Sequence, residues 1–146
     1  MRRRLYDAKR RFSNKKLLIK KPSSLEDMLK NADDCFTVTL LKLIDARRMT
    51  DVECYKKANV SKQTWYKIMN EKNYKPSKNT AVSFAVALGL TLPETERLLA
   101  TAGYALSDSS KFDIIIKYFI LNEIYDVFTI NQTLFDFDQP LLGNLR

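Results

Sequence analysis

From about residue 34 onward, apolar residues recur every three or four positions, interrupted by short clusters of Ser, Thr, Asn, Gly and Pro. That period marks helices with one buried face. "CFTVTLLKLIDARR" sets Phe36, Leu40, Leu43 and Ile44 on a single face. Thr50, with Glu53 three residues on, is a capping box for "DVECYKKA". Asn59 stands where the chain must leave that helix sharply, and asparagine tolerates the left-handed conformation such a turn needs. Ser61 caps "KQTWYKIMN", in which Trp65 and Ile68 point inward. Ser77, after Pro76, starts "KNTAVSFAVALG", which closes on Gly89. Thr91 and Glu94 form a second capping box for "LPETERLLATAG", up to Gly103. The pattern predicts five helices joined by short turns, with no strand between them.

Both ends extend this frame. Towards the C-terminus, Ser110 and Asp113 open "KFDIIIKYFILNEIY", an amphipathic helix presenting Phe112, Ile115, Ile116 and Phe119. "INQTLFDFDQPLLG" predicts one more short helix, ended by Pro140. Extra core is the first reading of that apolar surface, and a homodimer through the C-terminal helices is the second. At the other end, "KKPSS" is a boundary, and Ser24 caps "LEDMLKNA". The expected organisation is an arm over 1–24 and a helical domain over 25–146. Within that domain the core is 36–104 and the extension 105–146.

Charge changes the picture more than overall composition does. The formal net charge is +8, yet residues 1–21 hold ten Lys/Arg against Asp7 alone. The body is almost neutral and uneven: residues 46–78 carry nine basic and three acidic side chains, residues 79–146 four and eight. A near-neutral body with one basic band is the pattern an anion-binding face produces. A solvated lysine face is the plainer explanation of the same band. The arm's charge and Ser/Asn content resist packing, although Leu5, Ala8 and Phe12 can share one face of a short helix. It reads as mobile when free and ordered by an anionic partner, or as a linker from a larger architecture.

Several kinds of chemistry have no residues to carry them. There is no histidine, and Cys35 and Cys54 are the only cysteines. Familiar zinc spacings and Cys-His or Ser-His nucleophile pairs are therefore missing. The three glycines form no phosphate loop. A non-enzymatic protein is expected, without metal or cofactor. No apolar run approaches a bilayer span, since Asp113 and Lys117 break "FDIIIKYFIL", and no secretory signal follows the basic N-terminus. A cytoplasmic, non-membrane setting is the expectation.

The middle helices carry a family resemblance. Met49-Thr50 stands before the second helix, Val60-Ser61 opens the third and Ile68 anchors it. Lys75-Pro76-Ser77, Ala87-Leu88-Gly89 and a closing helix with Leu98-Leu99 follow without a gap. In this register the chain resembles the lambda-repressor-like, or Xre-type, helix-turn-helix domain over about sixty residues. The fold expected from the resemblance is an all-α, compact five-helix domain of that type, with one or two extra C-terminal helices and a basic N-terminal arm. Residues 25–143 are also similar to a C-terminal module of some bacterial macro-domain proteins, a hint about modularity and not about ADP-ribose chemistry.

In the resembling family the helix after the turn enters the major groove of double-stranded DNA. The matching base-reading positions are Ser61, Lys62, Gln63 and Lys67, with Tyr66 beside them. Gln63 can pair with adenine, and a lysine can donate to guanine or to phosphate. Asn70, Lys72 and Lys75 fall where the family's loop grips the backbone, and Arg2, Arg3, Arg4, Arg10 and Arg11 of the arm add phosphate contacts. The resemblance thus implies a small bacterial or phage transcriptional regulator. Three positions depart from the family: Asp51 replaces its usual glutamine, Tyr55 and Ala58 exchange large for small, and Asn59 replaces the turn glycine. These departures suit an alternative, a helix-turn-helix-derived adaptor or inhibitor that binds an acidic protein partner or RNA.

Overall fold

The computed structural model describes residues 21 and 24–143, and among these it has eight helices and no strand. They are α1 (Leu25–Lys30), α2 (Phe36–Ala46), α3 (Asp51–Lys57), α4 (Lys62–Asn70), α5 (Lys78–Ala87), α6 (Leu92–Thr101), α7 (Lys111–Leu121) and α8 (Val127–Asp136). A side-chain oxygen closes the start of every one except α2, whose N-cap is Cys35. Ser24, Ser61, Ser77 and Ser110 each accept the N3 backbone N–H, and Thr50 and Thr91 complete full capping boxes with Glu53 and Glu94. Asp126 does the same for α8. Each such cap is worth about 1 kcal/mol, so the six helices with an expected Ser or Thr cap start where the sequence marks them.

Six of the eight helix ends, all but those of α1 and α4, follow one device. Arg48, Asn59, Gly89, Gly103, Glu123 and Asp138 all take positive φ, between +54° and +80°. In each case the next residue's N–H returns to the carbonyl five positions back, as in Met49 to Ile44, Val60 to Tyr55 and Ile124 to Phe119. This is the Schellman arrangement, which satisfies carbonyls the helix leaves unpaired. It corrects one boundary. The helix expected to run to Tyr125 stops at Leu121, because Glu123 turns left-handed and Ile124 folds back over Phe119. The last helix begins earlier than expected, at Val127, and ends at Asp136, ahead of Pro140.

Two units divide between Asp33 and Asp34. In the first, α1 is a short helix with no buried residue, and Leu25, Met28 and Leu29 are exposed. In the second, α5 is the centre. Every residue from Thr80 to Ala87 is buried, the mark of a helix enclosed on all sides. Helices α3 and α6 pack on it, and α6 also meets α2 and α7. Phe84, Leu40, Ile44, Leu90, Leu98 and Leu99 are fully buried, each worth about 1.5–3 kcal/mol of burial.

The inner face of the C-terminal extension belongs to the same core. Ile116, Phe119, Ile120, Ile130, Leu134 and Leu142 join the cluster formed by the earlier helices. Polar ties then hold residues 141–143. Asn131 accepts from the Leu142 N–H at 2.7 Å and donates to the Leu142 carbonyl at 3.3 Å. Asn79 donates to the Leu141 carbonyl at 2.7 Å, and the Gly143 N–H reaches both Asn79 and Ser83. Gly143, at φ +100°, lies so close to Asn59 that an added Cβ would meet the asparagine Cβ at 2.5 Å. Residues 141–143 are thus strapped against the turn between α3 and α4.

Candidate nucleic-acid interface

Helix α4 has two unlike faces. On the inner one, Ile68 is buried, and Trp65 stacks on Tyr55 with ring centroids 5.5 Å apart while meeting Phe84 edge-on at 5.8 Å. Thr37 of α2 donates to the Ile68 carbonyl at 3.0 Å, tying the far end of α4 to another helix. The Tyr55 ring packs against Trp65, and Ala58, fully buried, lies at the end of α3. Asp51 occupies the first turn of α3 with Glu53, where negative charge complements the helix dipole.

The outer face holds the residues singled out in the sequence. Lys62, Gln63, Tyr66, Lys67 and Asn70 are all exposed, at helical positions 62/66/70 and 63/67 that make one continuous ridge. Ser61 is only half-buried, but its hydroxyl serves α4 itself. It accepts the Thr64 N–H at 3.1 Å and donates to the Thr64 hydroxyl at 3.0 Å. Asn70 donates to the Tyr66 carbonyl at 2.9 Å. Lys72 is exposed in the following loop, and the Lys75 ammonium sits 4.7 Å from the centre of the Tyr104 ring. Arg2, Arg3, Arg4, Arg10 and Arg11 lie outside the described residues.

Electrostatics separate α4 from several of its neighbours. Helices α1, α3, α6 and α7 begin with acidic residues in the first turn, whereas α4 begins with Lys62 and has none. The cation therefore adds to the positive end of the helix dipole. Of the nine basic residues between 46 and 78, Arg47 is held by Glu94 and Lys78 by Asp113. Among the described residues, no salt bridge engages Arg48, Lys56, Lys57, Lys62, Lys67, Lys72 or Lys75. The band's free charge is thus concentrated on α3, α4 and the loop after it.

A groove of about 710 Å³ adjoins this ridge, between residues 68–76 and the start of α2 at Cys35, Phe36 and Thr37. Cys35 is exposed there, while Cys54 is buried. Burial pushes the Cys54 thiol up to about 12, with the Asp51 carboxylate adding to the rise and Lys57 opposing it. That thiol is protonated and inert at neutral pH. Among the described residues, no three His, Cys, Asp or Glu side chains gather as a metal site, and no helix is long and apolar enough to cross a membrane.

Two contributors escaped the sequence reading. Thr37 fixes the C-terminal end of α4, and Lys78 neutralises a buried carboxylate instead of extending the basic surface. Neither has a local signature, because each acts on a residue at least 31 positions away. The chain matches no protein-family model, no curated protein and no solved structure.

Proposed function

We propose that this chain is a DNA-binding protein of the helix-turn-helix type that reads the major groove with α4, as a small transcriptional regulator. The observation that carries the reading is the division of α4. Trp65, Ile68 and the Thr37 hydrogen bond hold one side, leaving Lys62, Gln63, Tyr66, Lys67 and Asn70 as an unobstructed polar ridge. A helix anchored this way offers base edges a rigid set of donors. Gln63 suits adenine, Lys62 and Lys67 suit guanine or phosphate, and the Tyr66 ring suits a thymine methyl. Lys72 and Lys75 flank the ridge as backbone contacts, and the basic segment over 1–21 adds charge without adding sequence information.

Selection of the full chain on a random duplex library, with fluorescence anisotropy on the winners, tests it. A single enriched motif is expected, with affinity falling steeply as salt rises. Lys62→Ala combined with Gln63→Ala should flatten the preference while leaving residual, salt-sensitive binding. Binding that shows no preference in the parent chain, or a preference untouched by that double variant, would reject α4 as the reader.

A further inference from the structure

The groove beside α4 is built like a small-molecule site. Its volume of about 710 Å³ falls within the roughly 300–1,000 Å³ usual for ligand pockets. Buried Phe36, Ile68 and Ala102, with half-buried Met69 and Tyr74, give it an apolar floor. Hydrogen bonds between distant segments fix its walls. The Thr37 hydroxyl donates to the Ile68 carbonyl at 3.0 Å, joining α2 to α4. The Tyr104 hydroxyl donates to the Pro76 carbonyl at 2.9 Å, and within the loop the Tyr74 N–H reaches the Glu71 carbonyl at 3.1 Å. A ligand would meet a preformed surface, so little ordering opposes its binding.

Charge selects the occupant. The charged residues lining the groove are Glu71, Lys72 and Lys75. No salt bridge among the described residues engages either lysine. The Lys75 ammonium is nevertheless held in place, 4.7 Å from the centre of the Tyr104 ring. It lies against Gly103, the residue after Ala102 of the groove wall, where a Cβ would stand 3.6 Å from it. The Asn73 amide, exposed on the same rim, adds donors that suit a carboxylate. Two uncommitted cations against one carboxylate, above an apolar floor, favour an anion with an apolar body. An inorganic anion would leave the floor uncovered, and an apolar amine would meet two like charges.

We infer that this groove binds a small molecule carrying one carboxylate on an aryl body. The carboxylate is drawn to Lys72 and Lys75, and the aryl part lies on the floor made by Phe36, Met69 and Tyr74. Binding does not depend on the DNA reading, but its consequence rests on that reading. Lys72 and Lys75 are the backbone contacts proposed beside the ridge, so an occupied groove withdraws two cations from the duplex. The ligand then acts as an effector that weakens DNA binding.

Cys35 reports occupancy, since it is exposed and lines the groove while Cys54 is buried. Phenylpropionate and indoleacetate are the probes, with the full chain and neutral iodoacetamide. At least one should slow alkylation of Cys35 saturably, with half-effect at about 1 mM or below. Phenylpropionamide, phenylethylamine and inorganic phosphate should protect at least about tenfold less well. Lys72→Ala with Lys75→Ala should weaken protection at least about fivefold, and Glu71→Gln should strengthen it. No protection from either carboxylate at about 10 mM overturns the site, as does protection that survives loss of both lysines. Equal protection by the amide, the amine or phosphate overturns the ligand class. In fluorescence anisotropy on a selected duplex, a saturating probe should lower affinity about tenfold and reduce the salt slope by about 2. Unchanged duplex affinity with Cys35 protected overturns the effector role and leaves the DNA reading standing. A chain without duplex affinity overturns the DNA reading and the effector role together, while Cys35 still decides the site.

Discussion

Replacing Lys78 by methionine is the sharpest test of how the C-terminal extension is joined to the rest of the body. Asp113 of α7 is completely buried. Its Oδ2 receives the Lys78 ammonium at 2.7 Å and the Ser107 N–H at 2.7 Å, while its Oδ1 has no partner. Removing the lysine leaves a carboxylate in the interior with one backbone donor. Breaking a buried pair from one side costs about 3–5 kcal/mol. The Lys78 side chain is 32% exposed, so water reaches the vacated position and the cost belongs at the lower end, about 3 kcal/mol. For a domain of this size that is a fall in Tm of about 10 °C.

Urea unfolding followed by Trp65 fluorescence and by helical circular dichroism measures it, because Trp65 is the only tryptophan and sits against α3 and α5. Asp113→Asn removes the charge that needs compensation, so the double variant should recover part of the loss, with a coupling of at least about 1 kcal/mol. Coincident transitions by both probes would mean that the extension and the central helices melt together. A cost below about 1 kcal/mol for Lys78→Met, or simple additivity in the double variant, would refute the account of Asp113 as a charge held by one lysine.

Three further outcomes are expected. Trp65→Ala should cost about 3 kcal/mol in the same urea assay, because it removes the ring stacked on Tyr55 and edge-on to Phe84, while Lys62→Ala and Gln63→Ala stay within about 0.5 kcal/mol. Thiol titration of the native chain at neutral pH should count one fast cysteine, the exposed Cys35, with Cys54 reacting only after denaturation. Burial raises the Glu94 carboxyl, but hydrogen bonds from Thr91 and the Arg47 guanidinium outweigh it and hold the pKa below the usual carboxylate value. Its stabilisation is therefore present above the unfolded pKa and lost as pH falls through the folded one, so Glu94→Gln should be the less stable chain at pH 7, with the difference closing as the pH is lowered through the folded carboxyl's pKa.

Six helix starts were legible because they depend on local chemistry; the start of α8, capped by Asp126, was not. Ser24, Thr50, Ser61, Ser77, Thr91 and Ser110 cap the helices that follow them, each through an oxygen three residues from its N–H partner. Helix ends were legible only where the left-handed residue was Asn59, Gly89 or Gly103. Arg48, Glu123 and Asp138 adopt the same conformation without a residue type that announces it. What accompanies two of them is an apolar residue one step later, Met49 and Ile124, whose N–H closes the turn. The exposed ridge of α4 could be read from its period, since position 65 faces opposite to 63 and 67. Its anchoring could not, because Thr37 and Phe84 reach it from elsewhere in the chain.

The strap made by residues 141–143 joins surfaces that the sequence holds far apart. Asn59 opens the turn into α4, and Gly143 rests against it with no room for a Cβ. The same segment is held by Asn79 and Ser83 of α5 and by Asn131 of α8. Asn131 and Asn59 in turn line the groove beneath Phe128 and Phe135.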